Sequence, residues 1–179
     1  MARTVVIGTS ACGKTTLAAQ LARKLGCEHV ELDQLNWLPG WQARPLAEFR
    51  EHVAQAAAGE RWVIDGNYGR VRDLVWPRAT HVVWLNYSFA LTFSRALRRT
   101  FRRVVTGQEL HGGNRETLAG VLFDPQAVPY WVIRTYRRRR RQYRQLLLQP
   151  EYRHQTALEF RNPAAAEAWL AAINSPLMA

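Results

Sequence analysis

Thr4-Val5-Val6-Ile7-Gly8-Thr9-Ser10-Ala11-Cys12-Gly13-Lys14-Thr15 is the stretch on which the fold turns. Its first four residues form an unbroken apolar, β-branched run, the pattern of a strand buried on both faces of a parallel sheet. The last eight match G-x-x-x-x-G-K-[ST] in full. From Lys14 onward Leu17, Leu21 and Leu25 recur every four residues until Gly26, which marks a helix and its stop. Strand, glycine-rich turn and helix in that order let successive backbone N–H groups and the helix N-terminus converge on phosphate oxygens. Residue frequencies alone would produce the octet about 6 times in 10,000 chains of this length, so it is treated as a site. Gly8, Thr9, Ser10, Ala11, Cys12, Gly13, Lys14, Thr15 and Thr16 are its candidate nucleotide-binding residues. Lys14 would reach the β- and γ-phosphates, and the Thr15 hydroxyl would serve Mg²⁺. Cys12 occupies a free position of the motif as a small tolerated residue.

The same alternation continues along the chain. Strands are expected at His29–Leu32, Trp62–Ile64, His81–Leu85 and Thr156–Phe160. Helices are expected from Pro45 to Gly59, from Ser88 through an apolar stripe of Phe93, Leu97, Phe101 and Val104, from about Pro129 to Leu148, and from Pro163 behind an Asn162 cap. Five strands alternating with helices predict an open α/β fold, a three-layer parallel sheet covered on both faces. Gly107–Gln126 has weak periodicity and four glycines, as a long functional connection would. The 179 residues predict one domain, 1–179, with a mobile lid-like segment about 98–126.

Open α/β sheets bind ligands at the carboxyl ends of their strands. Two of only four aspartates, Asp33 and Asp65, fall there. Asp65 would hold Mg²⁺ together with Thr15, and Asp33 would take the proton of a hydroxyl acceptor. Either residue type is also common at strand ends as a turn or cap. Gly66 after Asp65 leaves no adjacent Glu to activate water, which argues against a motor-type ATPase.

The chain is strongly basic, with formal charge +11, and only Lys14 and Lys24 among its 25 basic residues are lysines. Arginine forks suit phosphate oxygens, although a coding bias toward Arg would give the same composition. Arg98, Arg102, Arg103 and Arg115 flank the glycine-rich connection, and Arg98 and Arg102 are the candidates to swing onto a transferring phosphoryl group. Arg137–Arg141 spans more than a helical turn, so it is either a solvated basic face or a nucleic-acid stripe. Trp37 and Trp41, around Pro39-Gly40, either wall an acceptor pocket or staple a turn. None of the five histidines has metal-ligand spacing to another His or Cys. No apolar run approaches the ~18–20 residues of a membrane helix, and two cysteines make no disulfide framework, so a cytoplasmic protein with no membrane partner is expected.

Three segments, the glycine-rich octet, Leu32-Asp33-Gln34-Leu35-Asn36-Trp37-Leu38-Pro39-Gly40-Trp41 and Trp62-Val63-Ile64-Asp65-Gly66-Asn67-Tyr68, resemble the adenylate-kinase-related P-loop proteins often labelled DNA topology modulation proteins. The resemblance runs over nearly the whole chain. It implies a nucleoside-monophosphate-kinase-like sheet of order 2-3-1-4-5, ATP and Mg²⁺ as cofactors, and Asp65-Gly66 beside the phosphate loop. Where nucleotide kinases continue with Phe-Pro-Arg, this chain has Asn67-Tyr68-Gly69-Arg70, with the arginine displaced. The expected activity is transfer of the γ-phosphate of MgATP to a small-molecule or nucleotide acceptor. The alternative is an ATP-regulated nucleic-acid-binding protein acting through Arg137–Arg141.

Overall fold

The computed structural model describes residues 2–123 and 127–173. Residues 124–126, at the end of the expected connection, lie outside them. Five strands form the sheet: β1 (Arg3–Gly8), β2 (Glu28–Glu31), β3 (Trp62–Asp65), β4 (His81–Leu85) and β5 (Thr156–Phe160). Their order is β2-β3-β1-β4-β5, and every pairing is parallel. This is the 2-3-1-4-5 order that the resemblance implied. The helices are α1 (Lys14–Leu25), α2 (Leu32–Asn36), α3 (Leu46–Ala57), α4 (Arg72–Val75), α5 (Phe89–Thr106), α6 (Leu118–Phe123), α7 (Val128–Leu147) and α8 (Pro163–Ala172). A two-residue antiparallel pairing of Trp37–Leu38 with Gln42–Ala43 follows α2.

Strand geometry alone divides the core. Side chains alternate across a sheet, so the continuous apolar run of β1 feeds both faces. Val5 and Ile7 join Phe49, Val53, Trp62, Ile64, Val82 and Trp84, together with Tyr143 and Leu146 of α7. Val6 joins Leu17 and Leu21 of α1, Val63, Val83, Leu85 and Leu170 of α8. The expected core tryptophans Trp62 and Trp84 are buried. Local signals set several helix ends. Gly26, at φ 61, closes α1 with its N–H on the carbonyls of Ala22 and Arg23. Ser88 Oγ accepts from the Leu91 amide at 3.3 Å, and Asn162 Oδ1 accepts from the Ala165 amide at 2.9 Å. Pro45 takes the cap position of α3, one residue before the helix it was expected to open.

Helix α5 departs from its reading. The apolar stripe was expected to face the core. Of the stripe, Phe93 and Val104 are half-buried while Leu97 and Phe101 face solvent, Phe101 at 72 % exposure. Thr92, Ala96 and Thr100 turn inward and are buried. The inner side of α5 borders the carboxyl ends of the strands, where polar groups are needed, and periodicity alone does not say which face of a helix points in.

Candidate active site

Gly8 ends β1 at φ 154, where a Cβ would stand 2.7 Å from both the Leu85 carbonyl oxygen and Cys12 Sγ. The loop therefore curls tightly enough to demand glycine at its start. Ala11 and Gly13 also have positive φ, at 64° and 102°. Among the described residues no side chain caps the N-terminus of α1, so its first amides stay available to a ligand. Lys14 Nζ folds back to the Thr9 carbonyl at 3.2 Å, spanning the mouth of the loop. Thr9 and Cys12 are buried, Ser10 and Ala11 half-buried, and Thr16 exposed in the first turn of α1. Burial raises the Cys12 thiol pKa against the opposing charge of Lys14, which leaves it a packed thiol rather than a reactive one. Asn67 braces the loop from outside, its Nδ2 donating to the Gly8 carbonyl at 2.6 Å while its Oδ1 accepts from Tyr143 Oη at 2.6 Å.

The carboxylates are set by strand register. Glu31 and Asp65 are Cα partners on β2 and β3, so both side chains leave the same face of the sheet. Thr15 Oγ1 meets both, 3.2 Å from Asp65 Oδ1 and 3.3 Å from Glu31 Oε1. His29, two residues before Glu31 and hence on the same face, places Nε2 2.8 Å from Asp65 Oδ2. The predicted pair Thr15 and Asp65 is thus brought together, and Glu31 is a third member that the reading missed. The expected strand ran through Leu32 to Asp33, whereas β2 ends at Glu31 and Asp33 lies in the first turn of α2. A hydroxyl between two carboxylates is a hard-oxygen donor set that suits Mg²⁺. Those residues fit the ion that the resemblance implies.

Asp33 stands across the mouth. Its Oδ1 accepts from Tyr68 Oη at 2.5 Å. Burial, and then the charge of Asp33, push the Tyr68 phenol pKa well above its ordinary value, so Tyr68 remains a donor. Ligand atoms of Glu31, Asp33 and His111 lie within 4.8 Å of one another. His111 comes from the connection after α5, with Nε2 3.3 Å from Glu31 Oε1. Hydrogen bonding to Glu31 raises the His111 pKa. Burial opposes ionisation of Glu31, but the bonds from His111 and Thr15 outweigh it and hold its carboxyl below the usual range.

The connection is seated on the tryptophan turn. Asn114 is buried, its Oδ1 accepting from the Trp41 amide at 2.8 Å and its Nδ2 donating to the carbonyls of Leu38 at 2.9 Å and His111 at 2.6 Å. A Cβ on Gly112, at φ 67, would meet the Leu38 carbonyl carbon at 2.8 Å. Trp37 and Trp41 pack edge to face at 5.9 Å. Stapling of this turn is therefore visible in the contacts.

The arginines sort by face. Arg98 and Arg102, selected from sequence as phosphate-facing, are exposed; Arg98 bonds back to Ser94 of its own helix. The side of α5 that turns inward carries Arg95, Arg99 and Arg103 instead. Arg95 donates to the Cys12 carbonyl at 3.0 Å and stacks on Tyr87. Arg103 pairs with Glu116 at 2.9 Å. In α7, Arg137, Arg138 and Arg141 line an open groove of about 720 Å³ with Arg72 and Arg134. Arg139 lines it too while bonding to Tyr143, and Arg140 bonds to Tyr136 of the same helix, so four of the five consecutive arginines share this open groove.

No protein-family model and no curated protein matches this sequence. Similarity in structure is clear. A shikimate kinase from Bacteroides thetaiotaomicron superposes with TM-score 0.55 at 16% identity, covering 99% of this chain and 99% of that one. A gluconokinase from Sinorhizobium meliloti 1021 gives 0.50 at 16% identity, covering 99% and 95%. The fold is that of the P-loop kinases, with a five-stranded parallel sheet between helical layers. The finer likeness to the DNA topology modulation proteins rests on the quoted sequence segments, and these structures lend no support to a nucleic-acid partner. Among the described residues no helix is long and apolar enough to cross a membrane.

Proposed function

We propose that this chain is an ATP-dependent kinase that moves the γ-phosphate to a hydroxyl of a small molecule. The observation that carries the reading is the Thr15 hydroxyl, held 3.2 Å from Asp65 and 3.3 Å from Glu31 at the mouth of a phosphate loop. Residues 8–16 receive the triphosphate through backbone amides, and Lys14 leaves the Thr9 carbonyl to reach the β- and γ-phosphates. Thr15 and Asp65, with Glu31 beside them, would hold Mg²⁺, which would supply charge neutralisation to the phosphates. His29 orients Asp65 through their 2.8 Å contact. Asp33 accepts the proton of the acceptor hydroxyl as its oxygen bonds to phosphorus and ADP departs. Tyr68 fixes the Asp33 carboxylate on one oxygen, leaving the other for this work.

The segment about 98–126 acts as the lid. His111 on Glu31 and Asn114 on the Trp41 turn are the contacts it would break to admit substrate. Arg95 and Arg99, rather than the outward Arg98 and Arg102, stand on the side of α5 that faces the loop. ADP release measured over a panel of hydroxylated metabolites and mononucleotides tests the reading. An acceptor that raises turnover well above hydrolysis, abolished in Lys14→Ala and reduced in Asp33→Asn by 10²–10⁴-fold, supports it. No acceptor better than water, or an unaffected Asp33→Asn, refutes it.

A further inference from the structure

Helix α7 has no aspartate or glutamate in its 20 residues. Arg134, Arg137, Arg138 and Arg141 stand at i, i+3, i+4 and i+7, so they share a face and repel one another. With Arg139, and with Arg72 of α4, they line the groove of about 720 Å³. Among the described residues none of these six arginines has an ion pair. Other arginines of the chain do find acids, as Arg50 finds Asp73 at 2.5 Å and Arg103 finds Glu116 at 2.9 Å. Six guanidinium groups around one hollow, with no acid beside them, make a focused positive field that calls for an anionic ligand.

The rest of the lining narrows that ligand. It consists of Asn67, Gly69, Gln142 and Gln145, so no side chain in the groove is acidic, aliphatic or aromatic. Without a carboxylate there is no donor set for a hard cation. Without an aromatic face there is no platform on which the bases of a single strand would stack. Without an apolar anchor there is nothing for a protein partner to bury and nothing to enter a bilayer. A duplex is too broad: the groove measures roughly 9 Å, the cube root of its volume, whereas the major groove of DNA alone is about 12 Å wide. A single phosphate monoester carries about two negative charges, too few for six arginines. From Arg134 to Gln145 the helix rises about 16 Å, so the charge is laid out along a line. The chemistry left is a flexible, base-free chain with charge on every unit, its oxygens on guanidinium forks and on the Gln142 and Gln145 amides. We propose that this groove is a binding site for inorganic polyphosphate. It shares no residue with the phosphate loop, Glu31, Asp33 or Asp65, and the proposal does not rest on the kinase reading. Arg139 donates to Tyr143 Oη at 3.1 Å and to the Asn67 carbonyl at 3.5 Å, so the two walls are already joined without the chain.

Fluorescence anisotropy of end-labelled polyphosphate, at about 0.15 M salt, tests the site in the full protein. Polyphosphate should bind saturably, and at least tenfold more tightly than oligo-dT, a DNA duplex or polyglutamate of equal charge. Its affinity should fall steeply with added salt, because each neutralised phosphate releases counterions. Arg137→Gln, Arg138→Gln and Arg141→Gln combined should weaken binding at least tenfold and flatten the salt dependence. Arg23→Gln, Arg102→Gln and Arg153→Gln combined remove the same charge from three exposed arginines elsewhere and should change affinity less than threefold. Lys14→Ala should leave it within twofold, since the phosphate loop is a different site. Without ligand, the α7 triple variant should melt at or above the wild-type Tm, because repulsion along one helix face is relieved. DNA that binds as tightly, single-stranded or duplex, overturns the proposal in favour of a nucleic-acid surface. Polyglutamate that binds as tightly, equal losses in the two triple variants, a tenfold loss in Lys14→Ala, or an α7 variant melting clearly below the wild type each overturns it as well.

Discussion

Asn114→Ala is the sharpest probe of how the connection after α5 is held. The side chain makes three hydrogen bonds, to Trp41 N, Leu38 O and His111 O, at 2.8, 2.9 and 2.6 Å. Each is worth about 1 kcal/mol net, and removing a buried partner leaves the Trp41 amide unsatisfied, so the seat loses about 3 kcal/mol. At about 1.4 kcal/mol per factor of ten, opening of the segment should become roughly 100-fold more frequent. The five-stranded sheet shares none of these bonds, so the loss should appear as local opening. Hydrogen exchange read by mass spectrometry reports both regions together. Peptides over residues 109–117 and 37–43 should exchange roughly 100-fold faster, while those over β3 and β4 stay as in the wild type. Exchange at 109–117 within threefold of wild type would refute the reasoning. So would a uniform rise across all peptides, since it would show that Asn114 supports the whole fold.

Further outcomes follow from the same geometry. Thr15→Val removes the hydroxyl between Glu31 and Asp65 and should raise the Mg²⁺ concentration for half-maximal ATP binding at least tenfold, with Glu31→Gln smaller but in the same direction; an unchanged Mg²⁺ requirement in both would dismiss the ion site. His111 has its pKa raised from 6.5 and Glu31 lowered from 4.5, so their pair stabilises most between those values and fades as pH climbs through the folded His111 value. Accordingly His111→Ala should lower Tm more at about pH 6 than at about pH 8.5, and equal shifts would count against the pairing. Cys12 is buried and Cys27 only partly so; a thiol reagent at neutral pH should therefore label Cys27 first, with Cys12 following only on denaturation, and labelling in the reverse order would contradict the packing.

Much of this architecture could be read without coordinates because the decisive signals are local. The run Thr4–Ile7, the octet after it and the leucines of α1 each answer to near neighbours. The misses share a different cause. Glu31 became a site residue because β2 pairs with β3 in a register that sets it beside Asp65, and nothing within β2 announces its partner. Only the histidine two residues earlier hinted at a polar face. Arg98 and Arg102 were preferred because they flank the glycine-rich connection, whereas the face of α5 that turns inward, with Thr92, Ala96 and Thr100, carries Arg95, Arg99 and Arg103. The short α2, α4 and α6 carry too few turns for a periodic signal. Gly112 and Asn114 earn their place through contacts with Leu38 and Trp41, more than seventy positions away in the chain.

Asn67 has a mechanical consequence. Through one amide it ties the first carbonyl of the phosphate loop to the phenol of Tyr143, and Tyr143 is embedded against Trp84 in the core. Helix α7 is thereby bolted to the nucleotide cradle and behaves as a fixed post, its arginines carried at constant distance from Gly8. On the opposite wall the connection after α5 is held to its neighbours by side-chain bonds of His111, Asn114 and the Trp41 indole, so it is the part that would travel in the proposed kinase cycle.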